Sequence, residues 1–188
     1  ARFPFHPVFL ESCCVSISDY GFKLPSTCQL LLLPGISAFV GADITAGGLA
    51  TGISQAEGMD LLLEIGTNGE MVLGNRQGLL ATATAAGPAF EGAQITHGCP
   101  GIAGALDHAG EGAEGFWYTT GNEAPLCGIC GSGLIDLVAW LRHSGMMDET
   151  GYLELSDGKD AFFPDHKMQI SLNQRDIRQL QLAKGAIA

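Results

Sequence analysis

Apolar residues in this chain gather in short runs separated by glycine and proline, and the runs set the expected elements. "TCQLLLL", residues 27–33, reads as one buried strand closed by Pro34-Gly35. The remainder of 1–34 reads as irregular, punctuated by Pro4, Pro7 and Pro25. "GADITAGGLATGISQAEG" is small-residue throughout and poor in β-branched positions, which predicts a helix over about 42–54. Gly47 and Gly48 lower its helix propensity and permit close packing.

Two apolar stretches, 61–65 and 70–73, flank Asn68-Gly69, a strong two-residue hairpin signal because both central positions take positive φ. "GLLATATAAG" continues as a third strand, giving an antiparallel meander. Gly87-Pro88 ends it, and Pro88 suits the first turn of a helix through "AFEGAQI". Residues 96–125 are glycine-rich and read as an irregular excursion containing a strand-like "GFWYTTG". "GICGSGLIDLVAWLRHSG" is the clearest helix, with Ser132 as cap, Leu134, Ile135, Val138 and Leu141 as its apolar stripe, and Gly145 as its stop. "KMQISL" reads as a strand, and Asn173 with Asp176 marks a helix start followed by Ile177, Leu180 and Ile187 at helical spacing.

Composition narrows the function classes. The 188 residues are 46% hydrophobic and 15% charged, which excludes general disorder and is enough for a sizeable core. Nine Lys plus Arg face twenty Asp plus Glu, a net charge of −11, which disfavours a nucleic-acid partner because phosphate contacts need a basic face. No run approaches the roughly twenty apolar residues of a membrane helix, and no leader pattern opens the chain. Six cysteines without a secretory signal read as reduced thiols of a cytoplasmic protein. Ala1 at the start and a helix-like "LQLAKGAIA" at the end read as part of a longer polypeptide.

Chemistry concentrates at the glycine turns. A turn such as Gly66-Thr67-Asn68-Gly69 brings backbone N–H groups to an anion without Cβ obstruction, and a hydroxyl such as Thr67 adds a donor. The same four residues also fit a plain hairpin. Glu64 stands immediately before the turn, where a carboxylate can hold Mg²⁺ through water or position a hydrolytic water. Gly87-Pro88 and Gly131-Ser132-Gly133 open further helix starts, whose unpaired amides attract anions. There is no Walker-type Gly-Lys-Ser/Thr.

Four motifs, "PGISAFVGADITAGGLATG", "LLLEIGTNGEMVLG", "TATAAGPAFEGAQITHG" and "GICGSGLIDLVAWL", occur in an order that resembles the ATPase domain of the reductive activators of corrinoid proteins. That family belongs to the acetate kinase, sugar kinase, Hsp70 and actin superfamily. The match covers most of 34–188 and closes on "ISLNQRDIRQLQLAKGAI". The resemblance implies an α/β, actin-like (ribonuclease H-like) lobe with a mixed sheet, incomplete in this chain. It divides the chain into a connecting segment at 1–34, from an upstream lobe, and a second lobe at 35–188.

The implied activity is ATP-driven reduction of Co(II) corrinoid proteins to Co(I), with the electron coming from an iron–sulfur domain outside these residues. ATP and Mg²⁺ are the implied cofactors, a corrinoid protein the partner and a homodimer the assembly. By the same resemblance Gly66, Thr67, Asn68 and Gly69 form the second phosphate loop, flanked by Glu64 and Glu70, and Glu70 is counted with the loop among the nucleotide-binding residues. Gly131, Ser132 and Gly133 start the helix nearest the nucleotide, and Glu64 is the catalytic and metal-holding carboxylate. The family usually carries Asp where this chain has Glu64. With the first phosphate loop and the adenosine motif expected outside residues 1–188, this piece is expected not to hydrolyse ATP alone. Two rival readings are an ATPase activator of a dehydratase, in which Cys127 and Cys130 gain importance, and a non-catalytic binding or scaffold protein of the same fold.

Other residues carry weaker signals. Cys127-Gly-Ile-Cys130 has metal or redox spacing but lacks a second pair, and reads as core cysteines. His97-Gly98-Cys99 reads as a structural loop, and Trp117-Tyr118 as core aromatics. Glu91 reads as a helix-dipole partner or as a contact to nucleotide or partner. "CGSGL" is not a nucleophile elbow.

Overall fold

The computed structural model describes residues 9–25, 27–155, 158–165 and 170–188. The chain divides into two units, the residues up to Glu64 with Gly69–Thr84, and Ile65–Asn68 with Ala85–Ala188.

In the first unit, strands β1 (Cys13–Ser16) and β2 (Gln29–Leu32) form an antiparallel ribbon with Cys13 opposite Leu32. The N-terminal region is thus more regular than its prolines imply, although Pro4 and Pro7 lie outside the described residues. Nor is β2 buried. Side chains alternate between faces along a strand, so a leucine run shields only every second residue, and Leu31 stays 57% exposed.

Helix α1 (Ala42–Thr51) ends earlier than expected, because Gly52 takes φ 71° and a 3₁₀ turn, Ile53–Gln55, follows. Gly47 of α1 faces Leu62, whose Cδ2 lies 3.6 Å from where a Cβ would stand. Strands β3 (Asp60–Ile65), β4 (Gly69–Asn75) and β5 (Gly78–Thr84) are neighbours in that order, as the meander predicts. In the β4–β5 pair Gly69 lies opposite Thr84 and Asn75 opposite Gly78. Val40, Ile44, Ile53 and Val72 form this unit's core, with Leu62, Ala81 and Ala83 packed on it.

In the second unit, β6 (Ala105–Gly112) runs antiparallel to β7 (Gly115–Thr120) and parallel to β8 (Gly128–Ile129), which makes the sheet mixed. The expected irregular excursion over 96–125 is therefore wrong at its centre. Gly110 sits opposite Trp117, and the indole lies over it, with Cζ2 3.0 Å from the position a Cβ would take. The glycines that read as loop residues leave room for a cross-strand aromatic.

Helix α2 (Gly131–His143) packs on β6, and Leu134, Leu137 and Leu141 are essentially inaccessible to water. Each such burial contributes roughly 2 kcal/mol. The stripe is rotated from the expected one: Leu137 belongs to it, and Ile135 is 47% exposed. Gly145, at φ 77°, follows the helix end.

The helix expected through "AFEGAQI" is only a 3₁₀ turn, Pro88–Glu91. It stops because Gly92 takes φ 80° and Gln94 takes φ 65°. Helix α3 (Gln174–Ile187) begins as predicted, with a capping box in which Asn173 and Asp176 each accept the other's backbone N–H. In "KMQISL", Lys167, Met168 and Gln169 lie outside the described residues. The strand there is β10 (Leu172–Asn173), paired with β9 (Ala161–Phe162).

Candidate functional site

The tip between β3 and β4 is a three-residue bend, Gly66 to Asn68, rather than a two-residue turn. Gly66 N–H donates to Asn68 O at 3.0 Å. Neither Asn68 nor Gly69 has positive φ, so the expected mirror-image turn is corrected. One extra residue in the loop relieves the demand for left-handed backbone.

In the second unit this tip is docked on the segment that starts at Gly87. Gly87 N–H donates to Thr67 O at 2.8 Å. Both donors of Thr67 then converge on one carboxylate oxygen of Glu91: the N–H at 2.9 Å and the hydroxyl at 2.7 Å. This corrects the reading of Glu91 as a dipole partner, since it is the last residue of a four-residue turn. Sequence reasoning missed its true contact because a pairing across twenty-four residues leaves no local pattern.

The same segment reaches the third glycine turn. Phe90 O lies 1.8 Å from where a Cβ on Gly131 would be, and Leu106 O lies 2.1 Å from the corresponding point on Gly133. Backbone approach therefore requires both glycines. Cys130, not Ser132, occupies the N-cap of α2. Ser132 is the second helical residue, and its hydroxyl stands 3.3 Å from Cys130 Sγ. Gly66, Thr67 and Asn68 are thus joined to Gly131 through the turn Pro88–Glu91.

Glu64, Gly69 and Glu70 belong to the first unit. Glu64, the second-last residue of β3, is exposed to solvent. Glu70 is 7% exposed, on the face of β4 that also carries buried Val72. The two acidic residues flanking the bend therefore differ in kind, one open to water and one buried.

Among the weaker candidates, His97 Nδ1 accepts the N–H of Ser171 at 3.1 Å, a structural contact. Cys99 N–H donates to Ile129 O at 3.0 Å, and its thiol lies over Gly128, 2.6 Å from where a Cβ would stand. Burial pushes the Cys99 thiol up to about 11, helped by the neighbouring Cys127 and Cys130. Cys130 is buried and donates to Leu106 O at 3.2 Å, whereas Cys127 is exposed. Among the described residues no three His, Cys, Asp or Glu side chains are arranged to hold a metal. Trp117 is 44% exposed, and Tyr118 packs at the edge of the core, its hydroxyl reaching towards Asp165 at 3.5 Å.

At Thr67, one exposed carboxylate oxygen takes two donors from a single residue, a donor pair whose geometry suits an anionic oxygen.

Residues 1–56 match the model of the RACo middle region, and residues 58–188 that of the C-terminal domain of RACo, the ASKHA domain. Corrinoid activation enzyme RamQ of Eubacterium limosum is 34% identical over 206 residues, covering 95% of this chain and 34% of the relative. The [Co(II) methylated amine-specific corrinoid protein] reductase of Methanosarcina barkeri is 28% identical over 192 residues, covering 89% of this chain and 34% of its own length. A solved reductive activator for a corrinoid, iron-sulfur protein superposes with a TM-score of 0.86 at 35% identity, over 98% of this chain and 32% of that one. The chain spans about a third of the length of these relatives. The fold is that of the ASKHA nucleotide-binding domains, as the order of motifs predicts. By both family matches, and by the architecture they share with that solved activator, the chain belongs to the RACo family of corrinoid-protein activators.

Proposed function

We propose that this chain is the nucleotide-binding part of an ATP-dependent activator that returns Co(II) corrinoid proteins to Co(I). The observation that carries the reading is the pair of donors on Thr67, already satisfied by a carboxylate oxygen at the place where the resemblance puts a phosphate. The relatives supply the substrate class, since one is a reductase of a Co(II) corrinoid protein and another a reductive activator for a corrinoid, iron-sulfur protein.

In this reading Gly66, Thr67, Asn68 and Gly69 bind the phosphate tail, with Glu70, the next residue along β4, counted among the nucleotide-binding residues. Gly131, Ser132 and Gly133 set α2 against the segment that carries Glu91. Mg²⁺ would neutralise charge on the phosphates, and Glu64 would hold its water shell. Glu64 also orients a water for attack on the γ-phosphorus. The P–O bond to ADP breaks in that step, and phosphate leaves. An iron–sulfur centre elsewhere in the full-length polypeptide would supply the electron for cobalt, and this chain's part is to bind and hydrolyse the nucleotide. The working protein is a cytoplasmic homodimer that docks its corrinoid partner transiently. No helix among the described residues is long and apolar enough to cross a membrane.

The experiment uses the full-length polypeptide with its corrinoid partner under anaerobic conditions, following cobalt reduction by absorbance. Reduction that requires both Mg-ATP and an electron donor is the expected result. Reduction at the same rate without ATP would reject the reading.

A further inference from the structure

We propose that Glu91 is a gate on the phosphate loop: an internal anion that holds the Thr67 donors closed and that the incoming phosphate displaces. The inference rests on the phosphate-loop reading above and adds to it the element that sets affinity.

The donor arithmetic requires displacement. Thr67 has one backbone proton and one hydroxyl proton, and both are directed to Glu91 Oε1, at 2.9 and 2.7 Å. A phosphate oxygen that takes these donors must break both contacts. Two anions at one pair of donors also repel each other, in a chain whose net charge is already −11.

The surroundings allow the carboxylate to leave without rebuilding the site. Glu91 is solvent-exposed, so its side chain can swing into water. Its backbone is fixed by Pro88 at the start of the turn, by Gly92 at φ 80° after it, and by Phe90 O against Gly131. The tip remains attached in either state, because Gly87 N–H bonds Thr67 O through the main chain. Open and closed forms thus differ by one side-chain rotation. A site that is competent only when open binds with its intrinsic affinity reduced by the open fraction.

The test measures Mg-ATP affinity by isothermal titration of the full-length protein, for the wild type, Glu91→Gln and Glu91→Ala. Both variants are expected to bind about three- to tenfold more tightly, because the competing charge is gone. Gln keeps an acceptor for Thr67 and preserves the fold if Ala does not. Unchanged or weaker binding by a folded Glu91→Gln overturns the gate. Hydrogen–deuterium exchange of the wild-type 61–73 segment, with and without Mg-ATP, tests the underlying reading separately. Nucleotide that binds without protecting the bend removes the phosphate loop itself. Protection of the bend together with unaltered affinity in the variants removes the gate alone.

Discussion

Asp176, which no solvent reaches, accepts both the N–H and the hydroxyl of Thr96 on one carboxylate oxygen, at 2.8 and 2.9 Å, across eighty residues of sequence. Its other oxygen accepts Asn173 N–H at 3.0 Å, and Asn173 Nδ2 donates to the Thr96 hydroxyl at 2.7 Å. The capping box of α3 is therefore also the clamp that fixes the loop leading to His97. Asp176→Ala leaves these donors unsatisfied in the interior and is expected to destabilise the fold by about 3 kcal/mol. Chemical denaturation measures it. A loss under roughly 1 kcal/mol would show that water replaces the carboxylate at little cost.

Gly133→Ala drives a Cβ into Leu106 O, 2.1 Å away, on the strand beneath α2. Neither partner is a flexible side chain, so the backbones must separate, at about 1–3 kcal/mol. The melting temperature is expected to fall, whereas Ser132→Ala, at an exposed position, is expected to change it little. If Gly133→Ala instead kept full stability and lost only nucleotide binding, close packing would not be the reason for glycine there.

Glu64→Ala is expected to lower ATP turnover of the full-length protein on the order of a hundredfold while leaving folding intact, as loss of a water-positioning carboxylate does. Its exposed place near the end of β3 makes a stability effect small. Unchanged turnover would take Glu64 out of the chemistry.

Cys99 gives a pH signature. Its folded-state pKa stands at about 11, above the ordinary value of 9.0, because burial and two neighbouring thiols disfavour the thiolate. Between those values the folded protein holds a proton that the unfolded chain has released, so stability declines as pH rises from about 9 through about 11. Alkylation of Cys99, read by peptide mass spectrometry, is expected to accelerate only as pH nears about 11. Cys99→Ser should flatten that part of the stability profile, and a profile unchanged by the substitution would place the titration elsewhere.

What the sequence made legible was local. Asn173 and Asp176 lie three residues apart, and their capping box is complete in the structure. The helical spacing within "GLIDLVAWL" and the strand pattern of the meander are likewise carried by near neighbours, and both elements stand where expected. The hairpin β6–β7 was illegible because Gly110 and Gly112 look like loop until Trp117 is placed over them. The bond between Thr67 and Glu91 was hidden for a similar reason, since it exists only after the chain between them folds back. Glycine spacing marked where an anion could bind but not that a carboxylate already rests there.

The segment 87–91 touches the bend through Gly87 and Glu91, and touches the first residue of α2 through Phe90. Helix α2 has thirteen residues, so it is about 20 Å long, and near its other end Trp140 stacks with Phe116 and Phe162. One helix therefore has a backbone carbonyl pressed on its first residue and an aromatic cluster set on the side chain of its tenth, so a substitution at either end acts on the same rigid element.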